Sequence, residues 1–221
     1  MSPNLALAPD TFAIASRHLA AADPAFAAVI EERGLPSFWH RPPGFATMCL
    51  FILEQQVSLA SAKAVFGRVR EAIGVITPAT MLAAGAELLG RCGVTRQKQR
   101  YLLGLAQRVA SGQLDLDGLA GDPDDEVRRR LLEITGIGPW TADVYLLSAL
   151  RRPDLWPVGD RALQVGVGEL LKMPSPPTPS EMEAIGARWR PWRSVAARLV
   201  WHDYLGRRGR TETDVAGLGQ T

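Results

Sequence analysis

The sequence predicts an all-α protein, on three observations. Apolar residues recur at three- and four-residue spacing along most of its 221 residues, the stripe of an amphipathic helix. No stretch sustains the alternation of a half-buried strand. Asp-Pro, Thr-Pro and glycine punctuate the periodic segments where helices start and stop.

Taken in order, PDTFAIASRHLAAADPAFAAVIEERG (9–34) is expected as two helices. Asp23 caps the second, Pro24 takes its first helical position and Gly34 ends it. LPSFWHRPPG (35–44) is a proline-rich connection. FATMCLFILEQQVSLASAKAVFGRVREAIG (45–74) reads as an apolar helix, a polar break at Gln55 to Ser58 and a helix ending at Gly74. TPATMLAAGAELLGRCG has a Thr-Pro start and a glycine stop, and TRQKQRYLLGLAQRVASG is amphipathic with a basic leading turn. DPDDEVRRRLLEITG is expected to open with Asp122 as N-cap and Pro123 first in the helix, its acids Asp124 and Asp125 lying at the positive end of the dipole. PWTADVYLLSALRR is helical, PDLWPVG is extended around Pro153 and Pro157, and DRALQVGVGELLK is helical again. MPSPPTPS is a stiff spacer, EMEAIGARWRPWRSVAARLVWHDYLG holds two short helices with the second starting near Pro191, and TETDVAGLGQT is a frayed tail.

Composition narrows the function classes. The formal charge is +2 and the hydrophobic content 47%, enough for one sizeable core or two lobes. From Arg188 to Arg210, seven arginines face one acid, Asp203, which fits either a polyanion partner or a solvated charged tail. Cys49 and Cys92 form no CxxC, and His18, His40 and His202 share no ligand spacing. No ligand set for zinc or an iron–sulfur cluster is therefore visible, and the cysteines read as free buried thiols of a reducing cytoplasm. The start MSPNLALAPD lacks the features of a signal peptide, and no uncharged run is long enough to span a bilayer, so no membrane partner is expected.

Two features carry chemistry. In LLEITGIGPW (131–140) a helix precedes the glycines and a third glycine is missing, which rules out a dinucleotide fingerprint. Gly136 falls where the first helix ends and positive φ is needed, Ile137 plugs the space between helices, and Gly138 caps a helix that Pro139 begins. Amides from Trp140 onward then point outward, either as a phosphate-sized anion site or simply within a tight αα-turn. The second feature is Asp160, which begins a helix after Gly159. It is either a plain N-cap or a carboxylate held to stabilise developing positive charge.

LLEITGIGPWTADVYLLSAL resembles the helix-hairpin-helix of the DNA glycosylase superfamily, a glycine- and proline-rich loop followed by an aspartate. With LEQQVSLASAKAVFGRV, TRQKQRYLLGLA, VGDRAL and RWRPWRSVAARLVW, the wider chain resembles the 3-methyladenine DNA glycosylase II branch over about residues 45 to 205. The resemblance implies a two-lobed helical fold with a cleft. A central lobe would span 45–150, its hairpin motif about 123–150, and residues 1–44 with 151–221 would form the second lobe. The β-rich N-terminal domain of longer relatives is not expected, since about 44 mostly helical residues precede the matched region.

The same resemblance implies site roles. Asp160 is the catalytic acid. Gly136, Gly138, Trp140 and Thr141 hold backbone phosphate, and the carbonyls of Thr135 and Ile137 offer a site for Na+ or K+. Trp140 and Trp201 line the pocket of a cationic alkylated base, although each is equally read as core. Tyr145 stands one residue beyond the family's pocket tyrosine, at which position this chain has Val144. Phe38 and Trp39 close the pocket or pack in the core. Gln55 or Gln56 fills the gap left by a flipped base, where a leucine is expected, or both are exposed turn residues. Arg96, Lys98 and Arg100 border DNA or face solvent. A lysine nucleophile is replaced by Trp140, which forms no imine, so a monofunctional glycosylase without lyase activity is expected. No cofactor is required. The partner is damaged duplex DNA, and the protein is a monomer of the bacterial cytoplasm. The alternatives are a non-catalytic DNA-binding module of the same hairpin, or a glycosylase for deaminated or etheno bases.

Overall fold

The computed structural model describes residues 6–211. The expected tail from Glu212 onward and the first five residues lie outside the described residues. Among the described residues there are eleven α-helices, one 3-10 turn and no strand. None of these helices is by itself long and apolar enough to cross a membrane.

The chain divides into two compact units. One comprises the residues up to His40 with those from Leu146 onward, and the other Arg41–Tyr145. The second unit holds α3 (Phe45–Glu54), α4 (Leu59–Ile73), α5 (Pro78–Arg91), α6 (Arg96–Ala110), α7 (Asp124–Leu132) and the first part of α8 (Pro139–Ser148). Capping sets the starts. Ser58, Thr77 and Thr95 each accept a backbone N–H from three residues ahead, the local bond that ends extended chain and begins a helix. α3 has nine of its ten residues buried and packs on α4 and α6, while α5 packs on α6. At its end Glu54 forms a bidentate pair with Arg41, both bonds 2.8 Å. Both side chains are buried, and the guanidinium lies 4.7 Å from the centroid of the Phe51 ring.

The first unit holds α1 (Pro9–Ala22), α2 (Pro24–Arg33), the end of α8, α9 (Arg161–Leu170), α10 (Pro179–Ala187) and α11 (Arg193–Gly206). The carboxylate of Asp23 caps α2 through Ala25 N–H and takes the indole N–H of the buried Trp189 at 2.9 Å. Arg33 from α2 and Arg207 both bond Asp203 of α11. α9 and α11 pack closely at Gly166, where an added Cβ would lie 2.7 Å from Val200 Cγ1.

The structure adds to or corrects the sequence expectations at several points. Asp122 does not cap α7. Pro123, with ψ 150, is the N-cap, and the Asp122 carboxylate instead pairs with Arg130 at 2.6 Å. α5 is kinked at Gly85, which takes φ 62 and ψ 179. α8 stops at Ser148, and α11 starts at Arg193, two residues past Pro191. The arginines of 188–210 are largely paired within the first unit, and Arg210 is exposed. Five of them pair with acids, Arg188 with Asp23, Arg190 and Arg193 with Asp154, Arg207 with Asp203 and Arg208 with Glu169. Arg198 is buried.

Breaking the Arg41–Glu54 pair leaves a charge in an apolar interior, so Glu54→Ala is expected to cost about 3–5 kcal/mol in urea unfolding. A loss within experimental error would contradict the structural role given to the pair.

Candidate functional site

In the second unit the hairpin between α7 and α8 is built around Gly136. Its φ is +95, and a Cβ there would fall 2.2 Å from Tyr101 Cγ. Tyr101 of α6 thus packs directly against the hairpin backbone, and only glycine satisfies both the turn and the approach. Ile137 is buried beneath the turn and its N–H bonds Ile134 O at 2.9 Å. The Gly138 carbonyl accepts from Ala142 N–H, which starts α8 with Pro139 in its first position. Gly138 has open space where a Cβ would be.

The loop between α3 and α4 is bolted to this hairpin. Gln55 Nε2 donates to Gly136 O at 2.8 Å and to Thr141 Oγ1 at 3.0 Å. Lys98 Nζ donates to Leu53 O at 2.7 Å and to Gln55 O at 2.8 Å. Its ammonium thereby sits at the negative end of the α3 dipole, where a cation is favourable. Burial pulls its pKa below the ordinary lysine value. Gln56, the next residue, lies in the left-handed region, φ 57, and is exposed.

The first unit carries Asp160. Ser194 of α11 accepts from Leu155 N–H, and Trp156 donates to Met182 O, which ties down the chain before the aspartate. Asp160 N–H then bonds Pro157 O and closes the turn. The side chain caps α9, with Oδ1 accepting from Leu163 N–H at 2.7 Å. The same oxygen lies 3.3 Å from the indole Nε1 of Trp201. Trp201 is half-buried and tilted against Trp39, ring centroids 6.3 Å apart. Beneath Trp39 lies the Arg198 guanidinium, 4.3 Å from the ring centroid, with a 2.6 Å bond to Trp39 O. Phe38 continues the cluster, 5.3 Å from Phe12 and 6.0 Å from His40. Asp160, Trp201, Trp39 and Phe38 are therefore neighbours in one unit and all half-buried. A fixed carboxylate beside indole faces is suited to a cationic sugar and an electron-poor base.

Several expected roles change. Tyr145, expected at the base pocket, has no exposed surface. It is fully buried in its unit, edge-on to Phe51, and its hydroxyl accepts the Gly44 N–H at 2.9 Å. Burial pushes its pKa up to about 12. The Thr141 side chain is 1% exposed and its hydroxyl is engaged by Gln55, so only its backbone amide is left for the expected phosphate role. Gln55 is a brace and not a free filler, which leaves Gln56 as the exposed glutamine. Lys98 is half-buried with its ammonium bonded to the end of α3, whereas Arg96 and Arg100 are exposed. Trp140 is half-buried at the start of α8. The roles of Arg198 and Tyr101 are not signalled by the sequence. Nothing in their immediate neighbours points to a contact with a residue 159 positions away in one case or with a distant glycine in the other. Among the described residues no three His, Cys, Asp or Glu side chains gather as a metal site. Cys49 and Cys92 are both buried and unbridged, and burial raises the Cys49 thiol far above its ordinary pKa.

Comparison with known proteins shows the family. The model of the HhH-GPD superfamily, base excision DNA repair proteins, matches residues 49–191. The chain belongs to this superfamily. Sequence relatives of this HhH-GPD protein include 3-methyladenine DNA glycosylases. A DNA-3-methyladenine glycosylase of Bacillus subtilis is 31% identical over 172 residues, 72% of this chain and 57% of that protein. DNA-3-methyladenine glycosylase 2 of Escherichia coli is 28% identical over 163 residues, 68% of this chain and 54% of that protein. The chain thus spans little more than half the length of these curated relatives. The crystal structure of a DNA-3-methyladenine glycosidase from Bacillus halodurans superposes with a TM-score of 0.70 at 29% identity, covering 90% of this chain and 93% of the other. A 3-methyladenine DNA glycosylase of Schizosaccharomyces pombe, solved with abasic DNA, shares the fold with a TM-score of 0.76 at 24% identity, covering 85% and 94%.

Gly136→Ala forces a side chain into the left-handed region and onto Tyr101. It is expected to lower stability by about 1–3 kcal/mol in thermal or urea unfolding. The same change at Gly138, where the space is open, should cost less. Equal costs at the two positions would contradict the tight hairpin.

Proposed function

We propose that this chain is a monofunctional DNA glycosylase that removes alkylated purines of the 3-methyladenine and 7-methylguanine type from duplex DNA. The observation that carries the reading is the carboxylate of Asp160, held at the start of α9 and contacted by the indole of Trp201. Hydrolysis of an N-glycosidic bond builds positive charge on the sugar as the base leaves. A fixed carboxylate stabilises that charge and orients the attacking water. At about 4 Å and an effective dielectric near 20, the attraction is about 4 kcal/mol, or about a thousandfold in rate.

An alkylated purine is cationic and already a good leaving group, so one carboxylate with aromatic faces suffices. Trp201 and Trp39 offer such faces beside Asp160, Phe38 backs them, and Trp140 supplies a further indole at the hairpin. The hairpin around Gly136 and Gly138 would hold backbone phosphate on the α8 amides, positioning the strand without reading its sequence. With Gly136 O engaged by Gln55, the flanking carbonyls of Thr135 and Ile137 are the ones that fit Na+ or K+, whose charge would add to phosphate binding. Gln56 would fill the space of the extruded base. Trp140 stands where lyases of the superfamily carry a lysine, which supports base release without strand cleavage. We read the protein as a cytoplasmic monomer that needs no organic cofactor.

The competing reading, a binding module in which Asp160 is only an N-cap, draws on the bond to Leu163 N–H. Asp160→Asn separates the two, because asparagine caps a helix as well as aspartate does but carries no charge. Purified protein should release base from duplexes carrying single 7-methylguanine or 3-methyladenine lesions, tested beside hypoxanthine, uracil and ethenoadenine. The Asn variant should melt at the parental temperature and bind DNA normally, yet release base about a thousandfold more slowly. A parent with no release from any lesion, or a variant as active as the parent, would remove the enzymatic reading. The abasic product should stay uncut until alkali is added, and borohydride should trap no protein–DNA adduct. A trapped adduct would overturn the monofunctional assignment.

A further inference from the structure

We propose that Lys98 is a positioning residue for nucleotide extrusion, acting with Gln55 to lock the α3–α4 loop and the hairpin into one rigid element. This rests on the glycosylase reading and extends it to residues that act only through others. Gln55 is clamped from two sides. Its carbonyl accepts from Lys98 of α6, and its side-chain amide donates into the hairpin at Gly136 O and Thr141 Oγ1. Lys98 also takes Leu53 O, so one ammonium closes the last turn of α3 and fixes the first residue of the loop. Two carbonyls converging on one point need two donors on a flexible stem, which lysine supplies.

The clamp accounts for the backbone beyond it. Gln56 is a non-glycine residue at φ 57, a conformation that persists only where its surroundings over-determine it. Past Gln56 the loop exposes apolar surface, with Val57 45% and Leu59 38% accessible. A loop that must displace a stacked nucleotide has to be ordered beforehand. If it yields, interaction energy goes into ordering the loop rather than into the duplex. Hairpin and loop hold the strand and push on it, and the Lys98–Gln55–Gly136 chain of bonds makes them move together.

A duplex with 2-aminopurine beside a tetrahydrofuran abasic analogue reports unstacking by fluorescence, and a terminal dye reports binding by anisotropy. Lys98→Met is expected to bind within about threefold of the parent, since phosphate contacts set binding, and to lose most of the fluorescence gain. Lys98→Arg, which keeps the donors, should retain it. Release of 7-methylguanine from paired duplex should fall about 10- to 100-fold in Lys98→Met, while release from an unpaired bubble stays near parental. If Lys98→Met fails to fold, Gln55→Ala carries the same comparison. A full fluorescence gain in the folded variant, or an equal loss on paired and unpaired substrate, overturns the proposal. A parent inactive on every lesion would remove the glycosylase reading, and the fluorescence and anisotropy would still decide the positioning role.

Discussion

The chemistry proposed for this protein depends on one oxygen atom. Oδ1 of Asp160 takes the Leu163 N–H at 2.7 Å and lies 3.3 Å from the Trp201 indole nitrogen. Together the two donors fix the direction of the carboxylate. Much of the first unit can be understood as support for that placement. α9 and α11 approach closely enough to exclude a Cβ at Gly166, which brings Trp201 to the start of α9. Ser194 and Asp154 pin the segment leading into Asp160. Arg198 holds Trp39 from below.

The second unit solves a different problem, that of presenting bare backbone. A hairpin with glycine at φ +95 is costly to order, and it is stabilised from three directions: Tyr101 against Gly136, Ile137 beneath the turn, and Gln55 bonded to its carbonyl. Their role is to keep the amides of α8 in place. Membership of the HhH-GPD superfamily accounts for the presence of the hairpin, while the brace through Gln55 and Lys98 is described by this chain's own bonds.

Local chemistry was legible in the sequence, and long-range chemistry was not. Asp23 and the Thr77-Pro78 start cap helices as the sequence suggests, because the capping bond spans three residues or fewer. The hairpin glycine and its positive φ were legible for the same reason. Asp122 falls one residue before the cap, and its carboxylate pairs with Arg130 two turns along α7. Tyr145 suggested a pocket by its neighbourhood in sequence, yet its hydroxyl meets Gly44, 101 positions away. The arginines near the end of the described chain suggested a polyanion, and their carboxylate partners come from α2, α9, α11 and the segments beside them. Charge counted along a chain says little until the partners are placed. Asp160 and Trp201 each stand out separately in the sequence, and only the structure shows that they touch.

The central claim is electrostatic, that Asp160 faces positive charge on the sugar. Its most direct measurement is the affinity for duplexes carrying a pyrrolidine abasic nucleotide, whose ring nitrogen is cationic, against the neutral tetrahydrofuran analogue. The account predicts tighter binding of the cation by about 100-fold or more, and a difference that disappears when Asp160 is replaced by asparagine. Equal affinity for the two analogues in the parent protein would contradict it.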